Sequence, residues 1–164
     1  MRAYKFLDAD GLAPFTAFPW TPGEWVEASG AEPCRAGVHA CAPADLSHWL
    51  AASLWEVELD GEIVEEATKV VASRARLVRR LDAWDDALRA AYTRDCADRA
   101  HELAHAADPP MTEWEAVIEP SVHEGPALLG FVAARIAEEA GGIEAYHAER
   151  ARQAEWLAGR LGLV

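Results

Sequence analysis

Residues able to do chemistry concentrate in two stretches of this chain. From Cys34 to Trp49 the sequence reads Cys-Arg-Ala-Gly-Val-His-Ala-Cys-Ala-Pro-Ala-Asp-Leu-Ser-His-Trp, which holds two of the three cysteines and two of the six histidines. A cysteine acts as a nucleophile when a neighbouring group stabilises its thiolate. Alternation along a strand puts His39 and Cys41 on one face, with Val38 and Ala40 on the other. His39 and Cys41 are therefore the candidate catalytic pair, and Cys34 is a second thiol within reach of the same base. Cys34, His39, Cys41 and His48 also carry zinc-binding atoms, but without the paired Cys-x-x-Cys turn of common zinc sites. No cofactor is expected at this stretch.

The second stretch is His101-Glu102-Leu103-Ala104-His105. His-Glu-x-x-His on a helix aims both imidazoles at one ion and leaves the Glu beside the bound water as general base. The alternative function is thus a zinc-dependent hydrolase with His101 and His105 as ligands and Glu124, Glu119 or His123 as the third. On the helical wheel both histidines fall nearly opposite the apolar stripe, so they face either solvent or an Ala-lined seam. The same residues contain Glu102-x-x-His105, and Glu144-x-x-His147 follows later. A carboxylate di-iron bundle would need a further helix that the pattern lacks.

Ligand pockets are mostly apolar with a few placed polar groups. Of the seven tryptophans, Trp20, Trp25, Trp49 and Trp55 are the candidate walls around a His39 polar centre. The segment from Lys69 to Arg80 contains no acidic residue, and Arg74 and Arg76 are its candidates for holding an anionic group on a ligand. The plainer expectation for these arginines is cross-strand pairing with Glu56 and Glu58.

These residues need a scaffold. Ala3 to Leu7 predicts a first strand, and the Pro- and aromatic-rich run from Leu12 to Glu24 a loop folded back over the core. Gly37 to Cys41 is extended, and Pro43 opens a short helix carrying Leu46 and Trp49. Trp55, Val57 and Leu59 alternate with Glu56 and Glu58 in the clearest strand, which Asp60-Gly61 is expected to end in a turn. Extended segments follow around Glu62–Glu65 and Lys69–Ala72, and Arg74–Leu81 fits strand or helix. Beyond it the period changes. Asp82 is a candidate N-cap for a helix reaching Ala107, with Trp84, Leu88, Tyr92, Cys96 and Leu103 as its stripe. Pro109-Pro110 stops it, Thr112 and Glu115 form a capping box for a short helix, Pro126 opens a third helix and Gly141-Gly142 ends it. A last helix covers about Ile143 to Leu161. The expectation is one α+β domain over residues 1–164: a small, mostly antiparallel sheet with one short helix in residues 1–81, packed with a bundle of about four helices in residues 82–164.

The spacing Cys34-x-x-Gly37-x-His39-Ala40-Cys41, with Pro43 and a short helix after it, then Trp55-Glu56-Val57-Glu58-Leu59-x-Gly61-Glu62 and Lys69-Val70-Val71-Ala72, resembles an uncharacterised domain family of bacterial and phage proteins. The resemblance covers about the first half of the chain. It implies a fold unit and a motif, and no assigned reaction.

Composition narrows the partners. The net charge is −13, with eight basic against twelve acidic residues in 1–81 and seven against sixteen in 82–164. Nucleic acids and anionic membranes require a basic surface, so neither is an expected partner. An odd number of cysteines argues for free thiols in a reducing compartment, and no membrane-length apolar run occurs. The reading is a cytoplasmic protein that binds or acts on a small organic ligand, with an anionic group compatible. A non-catalytic acidic interaction module is the remaining alternative. Oligomeric state is not encoded in any of these features.

Overall fold

The computed structural model describes residues 1–163. Five strands come first: β1 (Arg2–Leu7), β2 (Trp25–Glu27), β3 (Val38–Ala40), β4 (Ser53–Glu66) and β5 (Lys69–Arg80), with a 3₁₀ helix at Pro43–His48 between β3 and β4. Four α-helices follow: α1 (Asp86–Ala106), α2 (Glu115–Glu124), α3 (Pro126–Gly141) and α4 (Ile143–Leu161). The expected α+β arrangement of an antiparallel sheet followed by about four helices is what the chain forms.

β4 and β5 make a long hairpin, with β1 on the free edge of β4. β3 and β2 lie in succession along the free edge of β5, β3 against Val70–Ala72 and β2 against Arg74–Arg76. The residue after β3 then meets β1, where Tyr4 and Cys41 exchange backbone hydrogen bonds of 2.9 and 2.8 Å. The sheet therefore curls into a ring, β1–β4–β5–β3, fastened between β1 and β3 by that one rung among the described residues.

Alternation sorts side chains to the two faces of this curled sheet. Ala3, Leu7, Val38, Ala40, Val57 and Leu59 join inward residues of β5 in a small sheet core. Tyr4, Phe6, Cys41 and Leu54 point the other way and belong to a second, larger core shared with the helices. Trp84 joins the two layers: its ring meets Phe6 edge-on at 5.7 Å, and its indole N–H donates to the Ala51 carbonyl at 2.9 Å. At about 25 cal/mol per Å² of apolar surface, burying such a ring fully gives on the order of several kcal/mol.

Two expectations shift. Asp60-Gly61 does not end the strand. Gly61 adopts φ +75°, the register slips between Asp60 and Ile63, and Ser73 Oγ accepts the freed Glu62 N–H at 2.9 Å. The pair makes a bulge inside a longer strand, because a positive-φ glycine serves a bulge as well as a turn. Likewise, α1 starts later than Asp82. Its N-cap is Asp85, whose carboxylate accepts the Leu88 N–H at 2.8 Å, while residues 81–84 form a turn that seats Trp84.

Candidate functional site

The seam where β1 and β3 part company opens onto a cavity of about 960 Å³. Three segments build its walls. The loop over residues 11–20 is a tight ribbon, held by Ala13 N–H to the Phe18 carbonyl at 2.9 Å and Trp20 N–H to the Gly11 carbonyl at 3.3 Å. It starts from Asp8, whose carboxylate accepts the Asp10 and Leu12 N–H groups. This ribbon lifts Phe15, Phe18 and Trp20 onto the cavity, and Phe15 stays 86% exposed at its rim. Trp49, just after the 3₁₀ helix, is fixed by its indole N–H to the Thr68 carbonyl at 2.6 Å and meets Phe15 edge-on at 6.3 Å.

The third wall is the Cys34–Cys41 stretch. Gly37 has φ +120°, and a Cβ there would fall 2.5 Å from a Val71 methyl, so only glycine lets the loop lie this close to β5. His39 lines the cavity, and its Nε2 accepts the Cys34 N–H at 3.3 Å. Burial first, and the positive Lys69 and Lys5 next, hold its pKa below the usual histidine value. Neutral His39 is thus a brace for the rim. Exposed Cys34 has φ +62°, and the Lys69 ammonium donates to its Sγ at 2.9 Å while also pairing with Glu66 at 3.1 Å.

Cys41 lies where alternation puts it but not where a nucleophile must be. Its side chain packs in the helical core at 1% exposure, and burial pushes the thiol up to about 12, so it stays protonated at neutral pH. The expected His39–Cys41 catalytic pair is corrected by that burial. The four tryptophans also separate. Trp20 and Trp49 line the cavity, whereas Trp25 and Trp55 do not. Trp25 lies under the Arg74 and Arg76 guanidinium groups, 4.1 and 4.8 Å from its centroid, and Trp55 packs beside the sheet core with its N–H on Ser53 Oγ. Arg74 pairs with Glu27 and Asp60, and Arg76 with Glu58. Arg76 thus meets the expected Glu58, whereas Arg74 takes other carboxylates and Glu56 pairs with Arg2 and Arg79. Arg74 and Arg76 both sit outside the cavity lining.

The residue that composition did not single out is Lys5. It alternates with Ala3 and Leu7 on the inward face of β1 and lines the cavity. Its ammonium donates to the His39 carbonyl at 2.7 Å and lies 5.3 Å from the Trp20 ring centroid. Burial lowers its pKa to about 8. The available signal was an ionisable residue on the apolar side of a strand.

On α1, His101 and His105 lie beside α2 with their side chains 36% and 60% exposed. His105 Nε2 lies 3.1 Å from Glu115 and His101 Nε2 3.9 Å from Glu119. Glu102, the general base of the hydrolase alternative, pairs with Arg99 at 3.2 Å. Among the described residues, Glu124 included, no group of three or more His, Cys, Asp or Glu side chains is placed to hold a metal ion. The spacing fits the motif, but the third ligand is not brought to it.

A family model described as a domain of unknown function (DUF7666) matches residues 1–89, which contain the whole sheet and every wall of the cavity. No curated protein and no solved structure matches the chain. Among the described residues, no helix is long and apolar enough to cross a membrane.

Proposed function

Starting from a chain that belongs to this domain family of unknown function, we propose that the protein binds a small organic molecule in the cavity at the β1–β3 seam. One observation carries the reading: an aromatic-walled cavity of about 960 Å³ built entirely within the family-matched region. Its size falls in the range of small-molecule sites, and its walls combine a wide apolar surface with few polar groups. Phe15 supports the reading further, because a large aromatic side chain 86% exposed buries little of its ring where it stands. Against a bound ligand it would bury its ring.

His39 serves this site by holding the Cys34 rim in place, and Cys41 by packing beneath it. The reading is of a binding protein. The test is a thermal-shift and tryptophan-fluorescence screen with small aromatic compounds, followed by Phe15→Ala on any hit. Trp20 and Trp49 report directly on occupancy. Phe15→Ala is expected to leave stability within about 0.5 kcal/mol and to weaken binding roughly three- to tenfold, the worth of one aromatic contact. A hit whose affinity is untouched by both Phe15→Ala and His39→Ala lies elsewhere and refutes the proposal.

A further inference from the structure

Buried carboxylates elsewhere in the protein are met by cations of the chain, and the buried Arg150 guanidinium rests on the neutral Ser47 carbonyl and Gln153 with its Nε unpartnered. Glu56 lies between Arg2 and Arg79, each at 2.8 Å. Glu149 takes hydrogen bonds from Arg99, Arg152 and Gln153. Lys5 is different. A lysine ammonium has three N–H donors, and the His39 carbonyl accepts one of them; the other two have no protein acceptor, and Lys5 makes no ion pair among the described residues. The Trp20 ring face offers only a weak cation–π attraction. A cation left partly desolvated without a counter-charge costs stability. Here its open side is the cavity.

Charge in the cavity lining runs against that of the whole chain. Lys5, Arg35 and Lys69 line it, with Glu27 as the one carboxylate; Glu27 is paired with Arg74 and Lys69 with Glu66, which leaves Lys5 and Arg35. An anion is thus attracted to this cavity on a protein of net charge −13 that repels it elsewhere. A lysine is a compact point charge that can meet a single carboxylate without the planar fork an arginine supplies.

We propose that the ligand of this cavity is a small aromatic acid, its ring held among Phe15, Phe18, Trp20 and Trp49 and its carboxylate seated on the Lys5 ammonium. The assignment rests on the small-molecule reading above and adds the ligand's charge and the residue that selects it. Lys5 acts by binding, and no covalent step is involved.

The test uses three matched probes, naphthoate, naphthamide and naphthylmethylamine, titrated into the protein by tryptophan fluorescence. A charge-assisted hydrogen bond in a partly buried site predicts naphthoate binding at least roughly tenfold more tightly than naphthamide, with the amine weakest. Lys5→Met should erase the difference between acid and amide while leaving the amide's affinity in place. Because that variant could misfold, a second measurement keeps Lys5 in place. Preference for the acid should hold at about pH 7 and fade by about pH 10 as Lys5 loses its proton. Of the other ionisable groups lining the cavity, His39 is held neutral, Tyr4 and Lys69 are held above their usual values and the Cys41 thiol is pushed up to about 12. Cys34→Ser in this titration removes the exposed thiol, so that Lys5 is the group left to change charge.

Equal binding of acid and amide, or a preference that survives Lys5→Met in the folded variant, would overturn the assignment and leave the small-molecule reading standing. Tightest binding of the amine would do the same. If a broader panel of aromatic compounds yields binders and these three do not bind, the aromatic-acid assignment alone fails. No binding by any compound removes both.

Discussion

Between α1 and α4, the Glu149 carboxylate is enclosed at 2% side-chain exposure and takes hydrogen bonds from two arginines and Gln153, while Arg152 reaches on to Asp95 at 2.9 Å. Beside it the Arg150 guanidinium donates to the Ser47 carbonyl at 2.6 Å and to Gln153 at 3.0 Å, tying α4 to the 3₁₀ helix. At the cavity, Lys5 has one carbonyl and a ring face. Both regions take charge out of water, but the helical seam gives Glu149 its cations and Arg150 two neutral acceptors, whereas Lys5 has a single carbonyl and faces the cavity. The difference separates two uses of the same residue types. A closed network orders a structure, and an open one leaves donors free for the ligand proposed above.

Breaking the closed side should have the largest effect. Glu149→Ala removes the shared acceptor of Arg99, Arg152 and Gln153, and is expected to cost about 3–5 kcal/mol in chemical denaturation, the usual loss when one partner of a buried ion pair is deleted. A loss under about 1 kcal/mol would mean that the seam is an ordinary solvated surface.

The next effect is one of pH. His48 sits next to Arg150 and His147, and burial first, then these neighbours, lower its pKa to about 4. Its folded value lies below the 6.5 of an unperturbed histidine, so between the two the unfolded chain binds the extra proton. Stability should therefore fall as pH drops from about 6.5 towards 4, and His48→Gln should flatten that part of the curve. An unchanged slope in the variant would show that the seam accommodates another cation.

The smallest effect is expected on the open side. With its pKa lowered from 10.5 to about 8, the Lys5 ammonium opposes folding below pH 8, and the penalty disappears as pH rises towards 10.5. Lys5→Met should leave stability unchanged or slightly raised at pH 7, with any gain shrinking at alkaline pH. A marked loss at pH 7 would place Lys5 with the structural network and erase the contrast.

Much of this scaffold follows from pattern. Trp55, Val57 and Leu59 alternate with two glutamates and form β4, and the limits of α4 fall where the apolar spacing and Gly142 put them. The site follows less directly. Alternation assigns His39 and Cys41 to one face, but which face meets solvent depends on how the sheet curls against the helices. That is a long-range property. For the same reason Trp20 and Trp49 reach the cavity while Trp25 and Trp55, of identical chemistry, do not. The His-Glu-x-x-His spacing is a local fact about one helix. The third ligand and the enclosed water that would give it catalytic meaning depend on neighbours the spacing does not specify. Lys5 was legible in principle, as the polar member of the Ala3-Lys5-Leu7 face, but a single lysine in a short strand looks like a solvated one until its strand is placed in a ring.

The single rung at Tyr4–Cys41 has a consequence of its own. In an antiparallel ladder the next hydrogen-bonded pair in register would be Phe6 with His39, and β1 and β3 do not pair there. The Lys5 ammonium occupies the His39 carbonyl in place of the strand. The seam is thus a sheet edge turned inward. An exposed edge recruits other chains and invites aggregation, and this one opens beneath an aromatic rim of Phe15, Phe18 and Trp49. The small-molecule reading proposed above would place its ligand at this edge, with the remaining Lys5 donors as the groups left to meet it.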